Sequence, residues 1–162
     1  MKVQSAKDLE EISREYSKKL YYPEVTKVNI GMASCGIAAG GKASYETALK
    51  EYPGGNGIEI CQTGCLGFCE EEPLVEIIGK GKPRVVYRQI TEDKIVDAIQ
   101  GYIENDFNKK WILGQVRDPR CLLEGHIDNP QVNVEGLPDL PFLEDIPFYN
   151  QQRKVALRNC GY

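Results

Sequence analysis

The sequence predicts an α/β domain, a mixed sheet with helices packed on it, followed by an extended proline-rich arm. Three observations carry that expectation. Apolar residues recur at helical spacing in three stretches, form two alternating and two β-rich runs elsewhere, and lose any period where five of the nine prolines lie. A chain of 162 residues, 41% hydrophobic and 27% charged, is long enough to bury one core without disulfide staples.

The elements follow in order. Residues 5–20 set Leu9, Ile12, Tyr16 and Leu20 three and four apart among charges, an amphipathic helix with Ser5 as its cap, Asp8 at the capping-box position and Pro23 beyond its end. Residues 27–32 alternate as a strand, and residues 33–41, small and glycine-rich, read as a loop that can turn closely around a ligand. Ala43, Thr47, Ala48 and Tyr52 suit a short helix over 42–52, stopped by Pro53-Gly54-Gly55. A second strand over 58–62 runs into a loop over 63–73 that ends in Glu70-Glu71-Glu72, a solvated acidic turn by default, with tuning of a nearby site as the alternative. Residues 74–78 and 84–87 are β-rich runs joined by Gly79-Lys80-Gly81-Lys82-Pro83, the composition of a hairpin turn. Thr91 then caps a helix marked by Ile95, Ile99, Tyr102 and Ile103.

This divides the chain into an N-terminal helix (1–22), a sheet domain (23–106) and a linker or docking arm (107–162). The arm contains Pro119, Pro130, Pro138, Pro141 and Pro147, and it carries Trp111, Phe142, Phe148 and Tyr149, large rings of the kind that lie on another surface. With 20 basic against 24 acidic residues and a net charge of −4, the chain lacks the basic face that a nucleic-acid binder needs. No apolar run approaches the roughly 20 residues of a membrane span, and the charged N-terminus has no signal-peptide core, so a cytoplasmic protein is expected.

Six cysteines are many for a reducing compartment, and they are unevenly placed. Cys61, Cys65 and Cys69 cluster, whereas Cys35, Cys121 and Cys160 stand apart. Gly64 and Gly67 disfavour a helix across the cluster. In a loop leaving a strand, Cys65 and Cys69 converge, and the two glycines let backbone N–H groups approach sulfur. Thiolates for soft iron and amides that disperse charge on sulfur are what an iron–sulfur cluster requires. If the two strands are neighbours in a βα unit, Cys35 leaves the sheet at the same end and supplies a third ligand. Cys61 is the nearest remaining thiol for a fourth position, but it shares strand parity with Glu59 and opposes Ile58 and Ile60, which turns it away from the loop. Zinc would use the same thiolates, although it favours paired short-spaced knuckles and one such pair exists here. Cys121 and Cys160 read as structural or incidental thiols, and His126 as a solvated side chain.

Three segments, Gly31-Met32-Ala33-Ser34-Cys35-Gly36-Ile37-Ala38-Ala39-Gly40, Thr63-Gly64-Cys65-Leu66-Gly67-Phe68-Cys69 and Glu72-Pro73-Leu74-Val75, together resemble the thioredoxin-like [2Fe-2S] ferredoxin family. They are similar in particular to the ferredoxin domain at the N-terminus of NADH-binding flavoprotein subunits of the complex I type, found also in NAD(P)-linked hydrogenases and formate dehydrogenases. Residues 146–161 resemble the segment that opens the flavin-binding part of those subunits, and the stop after Cys160-Gly161-Tyr162 reads as a fragment's end.

The resemblance implies a thioredoxin-like sheet and a [2Fe-2S] cluster on Cys35, Cys65 and Cys69, with Cys61 the candidate fourth ligand and Gly64 and Gly67 as amide donors. The family's usual first loop holds two cysteines; here it holds Cys35 alone. The implied function is electron transfer within an NADH:acceptor oxidoreductase, with an NADH-binding flavoprotein domain and other redox subunits as partners, in a hetero-oligomer or a homodimer. FMN, NAD and a [4Fe-4S] cluster are expected in downstream or partner domains, because Gly40-Gly41-Lys42 and Gly54-Gly55-Asn56-Gly57 fit no phosphate-binding fingerprint. The chain alone is then not an enzyme. The alternative is a cluster-free docking module of such a complex. A thiol-redox enzyme is a third, weaker reading, since the C-x-x-C arrangement is absent.

Overall fold

The β-branched runs pair into a five-stranded mixed sheet of order β2-β1-β3-β4-β5. Its strands are β1 (Thr26–Gly31), β2 (Ile58–Thr63), β3 (Val75–Ile78), β4 (Arg84–Tyr87) and β5 (Ile112–Val116). The helices are α1 (Ala6–Tyr21), α2 (Ser34–Ala38), α3 (Gly41–Glu51), α4 (Ile95–Glu104) and α5 (Pro147–Asn150). This computed structural model describes residues 3–21, 23–117 and 136–152, apart from the side chains of 17–21. The expectations for Cys121, His126, Cys160 and the 153–162 tail fall outside these residues.

β1 and β2 are parallel, joined by the α2–α3 crossover, and the remaining pairs are antiparallel. Strand alternation sorts side chains onto two buried faces. Val28, Ile30, Val75, Ile77, Val85 and Tyr87 face α3 and α4, meeting Ala48, Ile95, Ala98, Ile99 and Tyr102. Leu74, Val86, Leu113 and Val116 point the other way and pack on Leu66 and Leu143. On that second face the Glu76 carboxylate accepts from Arg84 Nη2 and from Asn29 Nδ2, each at 2.8 Å, so three buried polar side chains from adjacent strands are joined in one network.

The α1 capping box forms as its sequence predicts: Ser5 N donates to Asp8 Oδ2 at 2.9 Å, and Asp8 N to Ser5 Oγ at 3.2 Å. Three other expectations are corrected. The sheet does not end near residue 106, because β5 pairs with β4 and forms its edge. Gly114 and Gln115 interrupt the apolar alternation of that strand, which hid it. Residues 34–38, read as loop, form the short helix α2. Thr91 does not cap α4: that helix begins after Lys94, and the Thr91 hydroxyl donates to Asp93 instead.

The part of the arm that is described folds back on the domain itself. Gln115, 1% exposed, donates through Nε2 to the carbonyls of Leu137 and Leu140 and accepts from Leu137 N, while its own N–H donates to Pro141. Arg117 Nη2 binds Asp145 at 2.8 Å, and Leu143 is buried in the second face. Residues 136–152 are thus a strap that starts at the β5 edge, where Leu137 and Leu140 pack against the first face's core, and crosses the second face with Leu143, Ile146 and Tyr149.

Candidate metal centre

Parallel pairing brings the ends of β1 and β2 side by side, with Gly31 opposite Thr63 and Met32 N donating to Thr63 O at 2.9 Å. Past this seam the chain leaves β1 into α2, which carries Cys35, and leaves β2 into the loop that carries Cys65 and Cys69. The sulfurs of Cys35, Cys65 and Cys69 all lie within 4.8 Å of one another, and Cys65 and Cys69 are 3.6 Å apart. Cys61 is not in this group. It sits within β2, opposite Asn29 in register, and its thiol is raised chiefly by burial, with Lys27 lowering it and Glu59 raising it.

Close backbone packing makes the convergence possible. A Cβ on Gly36 would stand 2.3 Å from the Gly31 carbonyl oxygen, and one on Gly41 would stand 2.7 Å from the same atom. Both positions therefore require glycine to seat α2 and the start of α3 against the end of β1. On the other side, Gly67 adopts φ 93° and its N–H donates to Cys65 Sγ at 3.1 Å, while buried Leu66 anchors the loop in the second face. The corresponding amide-to-sulfur bond from Gly64 is absent among the described residues.

Burial pushes the Cys65 thiol up to about 12, against the lowering effect of the Gly67 amide, with Cys35 and Cys69 adding to the rise. Burial is also the main reason that the Cys35 thiol is raised, and Glu72 adds to it. Metal-free, the Cys35 and Cys65 thiols thus hold their protons, and a bound cation would displace them.

Two features escaped the sequence reading. The acidic turn is not simply solvated: Glu72 is 7% exposed, its Oε2 accepting from Leu74 N at 2.7 Å and its Oε1 facing Cys35 Sγ at 3.6 Å. Glu71 accepts from Arg88 Nη1 and Gln89 Nε2, tying the turn to the end of β4. The second feature is aromatic. Phe68, between Gly67 and Cys69, stacks on Phe148 of the strap at 4.1 Å and meets Tyr149 edge-on at 5.8 Å. Two of the arm's rings, Phe148 and Tyr149, therefore lie on the cysteine loop of their own chain. A like-charge run and a distant ring pair carry no local signal of such contacts.

Three clustered thiols with an amide donor at one sulfur suit a soft metal or an iron–sulfur centre. The NADP-reducing hydrogenase subunit HndB of Solidesulfovibrio fructosivorans is 36% identical over 80 residues, 48% of this chain and 64% of that protein. The chain resembles a hydrogenase subunit. A thioredoxin-like [2Fe-2S] ferredoxin from Aquifex aeolicus aligns at 14% identity over 59% of this chain and 96% of its own length, with a TM-score of 0.49. Another structure of the wild-type Aquifex ferredoxin aligns at 13% identity over 56% of this chain and 98% of its own, with a TM-score of 0.47. No family model matches. Among the described residues, no helix is long and apolar enough to cross a membrane.

Proposed function

We propose that the chain is an electron-transfer module that holds a [2Fe-2S] cluster on Cys35, Cys65 and Cys69, within a cytoplasmic NAD(P)H-linked oxidoreductase of the hydrogenase or complex I type. The observation that carries this reading is the convergence of three thiols, from two loops at one end of the sheet, within 4.8 Å. The hydrogenase subunit similar to it in sequence supports the setting. The partners would be an NADH-binding flavoprotein domain and further redox subunits, which would bring FMN, NAD and any [4Fe-4S] cluster.

When bound, the cluster supplies reversible one-electron chemistry. The chain's own residues do the rest. Cys65 and Cys69 clasp from the β2 side and Cys35 from the β1 side, each losing its thiol proton as it ligates. The Gly67 N–H stabilises the negative charge left on the Cys65 sulfur. Phe68, Phe148 and Tyr149 cover one flank of the loop with apolar surface, which lowers the local dielectric on that side.

Anaerobic reconstitution with iron and sulfide, followed by metal and labile-sulfide assays and EPR of the reduced protein, tests the reading. Two irons and two sulfides per chain are expected, with loss of both in Cys65→Ser. Absence of bound iron would favour the cluster-free docking module, and a single iron without sulfide would replace the cluster by a mononuclear site.

A further inference from the structure

We propose that Glu72 is the fourth protein ligand of this centre, binding through Oε1 and sharing one metal with Cys35 while Cys65 and Cys69 share the other. The inference rests on the cluster reading above and deepens it. For a tetrahedral first-row metal with thiolate bonds of about 2.3 Å and carboxylate bonds of about 2.0 Å, neighbouring ligands stand about 3.8 Å apart for two sulfurs and about 3.5 Å for sulfur and oxygen. The Cys65 and Cys69 sulfurs are 3.6 Å apart, and Cys35 Sγ is 3.6 Å from Glu72 Oε1. Each of these two pairs thus stands at about the separation that one tetrahedral metal imposes, and all three sulfurs lie within 4.8 Å of one another, so Glu72 Oε1 joins the thiol group through Cys35.

Glu72 is built into this place rather than drifting past it. The Leu74 amide fixes Oε2, which leaves Oε1 directed at the Cys35 sulfur. Space for the carboxylate exists because Gly31 and Gly36 have no side chains: a Cβ at Gly31 would lie 2.8 Å from Oε2, and one at Gly36 would lie 3.2 Å from it. A carboxylate that is 7% exposed requires a compensating cation or donors. The Cys35 thiol supplies one weak donor. On loading, the Cys35 proton leaves to solvent, the hydrogen bond to Oε1 is lost, and both atoms bind the same metal. Hard oxygen beside soft sulfur makes the two metals unequal, as with mixed ligation in Rieske-type centres. Cys61, the rival fourth ligand, lies outside the thiol group.

The test compares wild type, Glu72→Gln, Glu72→Cys and Cys61→Ser after anaerobic reconstitution, by iron and sulfide content, Mössbauer and EPR spectra. Circular dichroism of the metal-free proteins checks the fold, and Glu72→Gln keeps an acceptor for the Leu74 amide. Wild type should show two ferric sites of different isomer shift, the oxygen-ligated site the higher. Glu72→Cys should bring the two shifts together, Glu72→Gln should lose most of its bound cluster, and Cys61→Ser should load and look like wild type. A Glu72→Gln protein with wild-type stoichiometry and spectra would overturn the ligand assignment while leaving the cluster reading intact, as would loss of the cluster in Cys61→Ser alone. A wild-type protein that takes up no sulfide would overturn the cluster reading and the assignment together.

Discussion

At the scale of single residues, the thiols set a definite pH dependence. Cys65 is raised to about 12 and Cys35 is also raised, burial being the first cause for both. Each must shed a proton to bind a cation, so apparent affinity climbs as pH rises toward those pKa values and falls in acid. Titration of the metal-free chain with Co²⁺, read by its thiolate charge-transfer absorption, should give tighter binding at pH 8 than at pH 6. An affinity flat across that interval would show that the thiols are already ionised. Residue identity, as distinct from environment, was plain in the sequence: Cys35, Cys65, Cys69 and Gly67 stand out by type and spacing. The environment of Glu72 was not. Its burial depends on missing side chains at positions 31 and 36, some forty residues away along the chain, and no run of three glutamates announces which of them turns inward.

Among the elements, legibility followed local periodicity. The strands β1 and β2 alternate, β3 and β4 are β-rich runs, and each formed within a residue of its expected span, while α4 repeats cleanly but starts beyond its expected cap. The five-residue helix α2 escaped notice because a central glycine and small neighbours resemble a loop. β5 escaped because Gln115 occupies a core position for a reason that lies elsewhere: its amide serves the strap's backbone. Replacing it tests that account. Gln115→Leu keeps the volume but leaves the Leu137 N–H and two carbonyls without their partner, and each orphaned buried group costs about 1–3 kcal/mol. Urea unfolding should show the variant less stable by at least about 2 kcal/mol. A change below about 0.5 kcal/mol would mean that solvent replaces the glutamine.

The whole molecule is asymmetric about its sheet. One face is covered by α3 and α4, whose sequence neighbours β1, β2 and β4 they pack against, and the other by a strap that returns from beyond β5. A boundary at residue 106 therefore cuts through the sheet, leaving β4 as an unpaired edge and Leu113 and Val116 missing from the second face. A chain ending there should aggregate or remain partly unfolded, whereas one ending after residue 152 should keep the cooperative melt of the full chain; equal melts for the two would make β5 dispensable.

The stacking of Phe68 on Phe148 has a consequence for observation at a distance. The ring on the cysteine loop touches a segment about eighty positions later in the chain, so whatever stiffens the loop also clamps that remote stretch. Amide deuteration at Leu143–Asn150, followed by mass spectrometry, should slow when a metal occupies the thiols and return to its original rate when Phe68→Ala severs the contact, which makes the strap a built-in gauge of occupancy.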